Sequence, residues 1–252
     1  MSSKQLDKYY STAVIVDKLL AQIENSSSKK YLEPSCGGGA FTRKLKGEVF
    51  AYDLLPECDN AVQQDFLSVT PFKVDIVVGN PPFGKMSNLA VKFFNHCAKF
   101  DPDIIAFVLP KTFNKPRFWG RLDSRYTLVW SKDCPKNSFT LDGEPYDVPC
   151  VMQVWEKKVR IENLPQNLQL FEEVPENIAT VFIRRVGSKA GKIVDNYTPS
   201  STYSIRCEDW VVEEIKKQSF KLNNFATNTV GVKSITLFEI EDILLKRYGG
   251  KQ

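Results

Sequence analysis

The segment Val74-Asp75-Ile76-Val77-Val78-Gly79-Asn80-Pro81-Pro82-Phe83 decides how this chain is read. A run of β-branched residues suited to burial on both faces stops at Asn80. The prolines after it fix their own φ and push the residue before them into an extended conformation. The exit from the strand is therefore rigid, as a stiff turn at a sheet edge would require. The same shape suits chemistry on an aromatic amine. The exocyclic NH2 of adenine is a poor nucleophile because its lone pair is delocalised into the ring. The Asn80 side-chain oxygen and the Pro81 carbonyl can both accept hydrogen bonds from it. Pro81 and Pro82 fix where those acceptors sit, and Phe83 can stack on the ring.

Upstream, the candidate strand Lys30–Glu33 runs into Pro34-Ser35-Cys36-Gly37-Gly38-Gly39-Ala40-Phe41. Glycines at a strand-to-helix turn let the backbone approach a ligand, and the helix after it offers free N–H groups. No Gly-Lys-Ser/Thr follows, so this is not an ATP phosphate loop, and the dinucleotide spacing is missing as well. The next strand, Val49–Asp53, ends on a carboxylate that can grip a ribose diol or simply face solvent. Asp65-Phe66 then offers an acid to read an adenine amine and an aromatic to cover its ring. Further strands are read at Asp75–Gly79, Ile104–Pro110, Tyr126–Trp130 and Val148–Trp155. Alternation of such strands with helical stretches predicts βαβ units and a mostly parallel sheet. The last two strands flank a loop containing Asp142-Gly143 and read as a hairpin ending the sheet. Ala13–Ile23 reads as a helix with Ser11 or Thr12 as its N-cap.

Residues 158–178 read as a linker or irregular crossing, which divides the chain into 1–157 and 158–252. In the second part, Val181–Val186 and Tyr203–Cys207 read as strands, with a turn at Gly187–Gly191. Leu237–Tyr248 reads as a helix opened by a Thr236/Glu239 capping box.

The chain has 252 residues, 42% of them hydrophobic and 12% aromatic, with a net charge of +4. That size and apolar content support a large α/β domain plus a small appendage, and they exclude a disordered chain. No stretch has the length of apolar sequence a membrane span needs, and the polar N-terminus has no signal-peptide core. The six cysteines contain no Cys-x-x-Cys pair, so reduced thiols, a cytoplasmic or nuclear setting and no metal are expected. A lone histidine, His96, on a helix over Leu89–Lys99 reads as a packing or surface residue and argues against Ser-His or Cys-His catalysis. Pro149-Cys150 lies in an apolar strand and reads as core rather than nucleophile. Glu144 and Asp147 read as solvated loop acids.

Charge is clustered. Lys111, Lys115, Arg117, Arg121, Arg125, Lys132 and Lys136 outnumber Asp123 and Asp133, and Phe113, Phe118 and Trp119 interleave with them. Arg184, Arg185, Lys189 and Lys192 form a second basic stretch. Such runs are either solvated faces or phosphate tracks with aromatics for stacking on bases. Lys85, just after Phe83, is a further candidate.

Taken in order, Tyr9-Tyr10-Ser11-Thr12, Glu33 to Phe41, Asp53, Asp65-Phe66 and Asn80-Pro81-Pro82-Phe83 resemble the class I S-adenosylmethionine-dependent amino-methyltransferases. Among them the adenine-N6 enzymes are the nearest in pattern. The resemblance covers about 1–157. It implies a Rossmann-like, seven-stranded, mostly parallel sheet whose last strand is antiparallel, with a small C-terminal α+β region. By the same resemblance, S-adenosylmethionine is the cofactor. Glu33, Gly37 and Gly39 would border its methionine moiety, Asp53 its ribose, and Asp65 with Phe66 its adenine, with Pro34, Ser35, Cys36 and Phe41 also among the cofactor-binding residues. The tyrosine–serine–threonine segment, with Tyr10 and Thr12 as its cofactor-binding residues, would help close the pocket, and Asn80, Pro81, Pro82 and Phe83 would carry the chemistry.

The expected function is therefore N6-adenine methylation of nucleic acid, with DNA ahead of RNA. Lys85, Lys111, Lys115, Arg117, Arg184, Arg185, Lys189 and Lys192 are the expected nucleic-acid contacts. The gap from Asp65 to Asn80 is too short for a target-recognition domain, so recognition is expected in 158–252 or in the loops at 84–90 and 111–124. Three other readings use the same motifs: an RNA N6-adenine enzyme, a protein glutamine methyltransferase, and a catalytically dead nucleic-acid-binding subunit. Glutamine enzymes typically carry Tyr where this chain has Phe83, and dead folds usually lose the glycine loop or the Asn.

Overall fold

In the computed structural model, residues 9–141, 143–158 and 170–248 are described. The chain forms two compact units, Met1–Asn114 with Phe118–Arg160, and Lys115–Arg117 with Ile161–Gln252.

The first unit is built on β1 (Lys30–Glu33), β2 (Glu48–Asp53), β3 (Ala61–Gln63), β4 (Ile76–Gly79), β5 (Ile104–Pro110), β6 (Tyr126–Asp133) and β7 (Cys150–Lys157). Their order is β3-β2-β1-β4-β5-β7-β6. The β2/β3, β1/β2, β1/β4 and β4/β5 pairs are parallel, and β7 runs antiparallel to both β5 and β6. This is the Rossmann-like sheet of class I methyltransferases. The last strand does not end the sheet but slots between β5 and β6. Cys150 to Trp155 are all buried, as an interior strand demands, whereas β6 exposes most of its second half and forms the edge.

Side chains alternate along β5 and feed two cores. Ile105, Phe107 and Leu109 pack with Phe66, Phe93, Phe94, Phe100 and Trp155, under helix α2 (Asn88–Ala98). Ala106 and Val108 pack with Val78, Met152 and the Ile15, Val16 and Leu19 face of helix α1 (Ala13–Leu20). His96 is one of the packing residues of α2: its Nε2 lies 3.1 Å from the Val69 carbonyl, its ring is edge-on to Phe66 and Phe100, and burial lowers its pKa. Cys150 is buried on β7 and burial pushes its thiol pKa well up, so it is a core residue. The loop between β6 and β7 holds its own short hairpin, Phe139–Leu141 with Glu144–Tyr146, and Tyr10–Ser11 adds to it as a third strand.

The second unit has β8 (Phe171–Glu173), β9 (Val181–Arg184), β10 (Ile193–Val194) and β11 (Thr202–Cys207) in the antiparallel order β8-β11-β9-β10. Ile183 and Ile205 on one sheet face pack with Val211, Ile215 and Leu222 of α3 (Asp209–Phe225) and Ile240 and Leu244 of α4 (Leu237–Tyr248). The capping box forms as expected: the Thr236 N–H donates to Glu239 Oε2 at 2.9 Å, and the Glu239 N–H to Thr236 Oγ1 at 3.3 Å. The side chain of Tyr248, at the end of this helix, lies outside the described residues.

One expected nucleic-acid contact is corrected here. Lys115 is only 3% exposed, and its ammonium donates to the Ser234 carbonyl at 2.7 Å and to Glu239 Oε2 at 3.1 Å. An ammonium held by a carboxylate and a carbonyl in the interior of this unit serves the fold rather than a phosphate.

Candidate functional site

Strand order reverses between β1 and β4, and in open α/β sheets the crevice beyond the strand ends at such a point is where ligands bind. The C-terminal ends of β1, β2 and β4 here wall a cavity of about 360 Å³.

From β1 come Glu33 and the glycine turn. Glu33 is 1% exposed yet lines the cavity; burial raises its pKa to about 8, against the opposing hydrogen bond from Thr42 Oγ1. Pro34, Ser35, Cys36, Gly37, Gly38, Ala40 and Phe41 line the same wall. Gly39 lies behind it at φ +75°, where a Cβ would sit 2.6 Å from Cys58 Cβ, so no larger residue fits. Cys36 Sγ is 3.6 Å from Cys58 Sγ.

From β2 comes Asp53. Its Oδ2 accepts the Gly37 N–H at 2.8 Å and its Oδ1 the Leu55 N–H at 2.9 Å. The carboxylate thus ties the glycine turn to its own strand, and each oxygen keeps a lone pair for a ligand hydroxyl. Asp65 caps a short turn through the Leu67 N–H, 3.0 Å from its Oδ1, and the buried Phe66 beside it lines the cavity.

From β4 comes Asn80. Its Nδ2 donates to the Tyr9 carbonyl at 3.1 Å, its own carbonyl accepts from Ser35 Oγ at 3.1 Å, and its Oδ1 is buried without a partner. A carbonyl can only accept, so the Tyr9 oxygen dictates that the nitrogen faces it and the oxygen faces the other way. Pro82 lines the cavity. Pro81 is buried and Phe83 is half-buried against the α1 core, so neither forms part of the wall.

Tyr10 lines the cavity, with its hydroxyl on Glu57 at 2.7 Å. Thr12 does not line it; its N–H bonds the Ser138 carbonyl, and as N-cap of α1 it makes no side-chain bond. Its neighbour Ser11 does line the cavity, with a buried hydroxyl that has no partner. Tyr9, part of the same motif, also lines the cavity, as do Leu54, Leu55, Gln64, Leu89 and Phe93, which escaped the sequence reading. Leu54 and Leu55 follow directly on Asp53, and Leu89 and Phe93 sit at i, i+4 on α2, which are the signals that mark them.

The basic residues are dispersed. Lys85 is exposed next to the Asn80 loop, and Lys111 pairs with Asp133 at 2.7 Å. The side chain of Arg117 lies outside the described residues. In the second unit, Arg184 bonds Ser201 Oγ, and Arg185 bonds the Ser200 carbonyl at 2.8 Å with its guanidinium over the Tyr203 ring. Lys189 and Lys192 are exposed. Among the described residues, no group of three or more His, Cys, Asp or Glu is arranged to hold a metal, and no helix is long and apolar enough to cross a membrane.

Residues 43–176, which include the Asn80 loop, match the EDM2 methyltransferase-like domain. The chain belongs to this family. As a member of the EDM2 methyltransferase-like family, it is similar to Protein ENHANCED DOWNY MILDEW 2 of Arabidopsis thaliana, 27% identical over 187 residues. The match takes in 68% of this chain but spans only 14% of that relative. Among solved structures it is similar to a protein described as the modification subunit of a type I restriction enzyme from Vibrio vulnificus YJ016, at 14% identity and a TM-score of 0.48, covering 60% of this chain and 45% of that one. It is also similar to the 23S rRNA methyltransferase ErmE, at 16% identity and a TM-score of 0.45, covering 60% and 70%.

Proposed function

We propose that the first unit binds S-adenosylmethionine and methylates the exocyclic N6 of adenine in nucleic acid, DNA in preference to RNA. The observation that carries this reading is the buried, unpartnered Asn80 Oδ1 on the cavity wall, its amide aimed by the Tyr9 carbonyl. A buried acceptor with no donor is costly unless a ligand supplies one.

The residues on the wall fit the donor. Asp53 has one lone pair left on each oxygen for a ribose diol, Phe66 offers a ring beside the Asp65 acid for an adenine, and Glu33 offers a buried carboxyl for a cationic amine. Bound S-adenosylmethionine would supply an electrophilic methyl group. This chain's own part is to prepare the acceptor. Asn80 Oδ1 takes an N–H of the adenine amine, which favours localising its lone pair on nitrogen and aims it at the donor. No covalent intermediate is required, only position and fixed dipoles. A duplex substrate must have its adenine extruded to reach Asn80. Lys85, Lys189 and Lys192, all exposed, are the phosphate contacts in this reading, and the second unit is the recognition region.

The test is methyl transfer from radiolabelled S-adenosylmethionine to matched duplex DNA, single-stranded DNA and RNA, followed by nucleoside analysis. Label in N6-methyladenine is expected, most of it in DNA. Tight donor binding with no label in any nucleic acid would move the acceptor to a protein amide.

A further inference from the structure

The residues that follow Phe83 hold an unusual backbone. Gly84, Met86 and Ser87 have φ of 65°, 54° and 61°. This is the left-handed region, which residues with a side chain rarely adopt. Such strain lasts only where its surroundings fix it, and it gathers at functional sites. Here the surroundings do fix it. The N–H groups of Leu89 and Ala90 both donate to the Phe83 carbonyl, at 3.2 and 3.3 Å. The Ser87 N–H donates to the Gly84 carbonyl at 3.2 Å, and Ser87 Oγ lies 3.2 Å from Thr112 Oγ1. A Cβ at Gly84 would fall 2.7 Å from Leu89 Cβ, so only glycine fits there.

What this rigid turn presents is Met86, 77% exposed, with the exposed Lys85 beside it. Pro82 on one side of the turn and Leu89 on the other both line the cavity, so the turn that carries Met86 links two wall residues. An apolar side chain held in water on a strained backbone contributes nothing to the core, while a partner that covered it would gain from its burial. The turn is already ordered, so covering Met86 costs little further backbone entropy. The thioether is polarizable and suits contact with an aromatic face.

We infer that Met86 is a specificity-determining residue whose thioether packs on the nucleobase next to the acceptor adenine, with Lys85 on the adjoining phosphate. The inference rests on the adenine reading above. In a duplex the side chain would fill the gap left by the extruded adenine, as apolar wedges do. In a single strand it would cap the neighbouring base.

The test is a cycle between protein and substrate. The oligonucleotide that the wild type methylates fastest is compared with the same strand carrying an abasic residue beside the acceptor, for wild type and Met86→Ala. Each change alone is expected to lower kcat/KM roughly three- to ten-fold, and the two together no further than one, because they remove the same contact. Met86→Leu should recover most of the loss, and donor affinity should not move. A loss confined to duplex marks gap filling; an equal loss in single strands marks capping. Full multiplication of the two losses, or no loss with Met86→Ala, overturns the assignment. If the wild type methylates adenine in no strand at all, the adenine reading fails first and takes this assignment with it.

Discussion

Asn80 Nδ2 and the Tyr9 carbonyl meet at 3.1 Å across 71 positions of chain. Tyr9 is held in turn by a parallel stack on Tyr146, with centroids 5.3 Å apart, and by the pairing of Tyr10 and Ser11 with the Phe139–Leu141 strand. The hairpin between β6 and β7 thus acts, through one backbone oxygen, on which atom of the Asn80 amide is left over for a ligand. The left-over oxygen and the Ser11 hydroxyl are both buried without partners on the same wall.

Asp53→Ala removes the acceptor for two backbone N–H groups as well as the expected ribose contact. The donor's dissociation constant should rise about ten-fold or more, and unfolding free energy should fall by about 1–3 kcal/mol. Calorimetric titration and urea unfolding measure the two; an unchanged donor affinity would remove Asp53 from the site.

Glu33 gives a pH signature. Its folded pKa of about 8 lies above the ordinary 4.5, because burial penalises the charged form. The stabilising effect of holding it neutral is therefore complete below about pH 4.5 and lost as pH rises toward 8, a span worth on the order of 5 kcal/mol at most. Glu33→Gln, which stays neutral, should show a smaller loss of stability than the wild type between pH 5 and pH 8.5 in urea unfolding. Parallel pH profiles for the two proteins would show that Glu33 is ionised throughout.

Lys115→Ala leaves the Glu239 carboxylate buried without its cation. The expected cost is about 3–5 kcal/mol in stability of the second unit, with the salt dependence of nucleic-acid binding unchanged. A variant that folds normally but binds nucleic acid with a flatter salt slope would return Lys115 to the interface.

Lys189 and Lys192 are the cleaner probes of that interface, since both are exposed while Arg184 and Arg185 are engaged with the loop at Ser200 and Ser201. Changing both lysines to Ala should reduce the slope of log affinity against log salt by about 2 on duplex DNA. An unaltered slope would make them ordinary surface.

The parts of the fold that are legible in the sequence are those written locally. β1, β2, β4 and β5 announce themselves as short apolar runs, and Thr236 with Glu239 announces a helix start. β3 is a half-exposed edge strand, Ala61–Gln63, with no apolar run to betray it. The place of β7 between β5 and β6 depends on pairing, which periodicity does not encode. Helix α3 is hidden because Glu214 and Gln218 interrupt its apolar stripe; both are buried, and Gln218 Nε2 donates to Glu214 Oε1 at 2.9 Å. At the site, the residues at strand ends could be picked from the motifs. Lys115 could not be separated from its basic neighbours, because its partner Glu239 is 124 positions away. The left-handed Met86 and Ser87 are equally silent in sequence, since neither residue type prefers that region.

The most direct test of the central claim is single-turnover methyl transfer to adenine by wild type and Asn80→Ala, with donor affinity measured for both. The account predicts a loss of at least about a hundred-fold in rate, of the size expected for a missing dipole at the reacting centre, with donor binding within a few-fold of wild type. Retained transfer, or loss of donor binding in its place, would contradict the assignment of Asn80 Oδ1 to the acceptor amine.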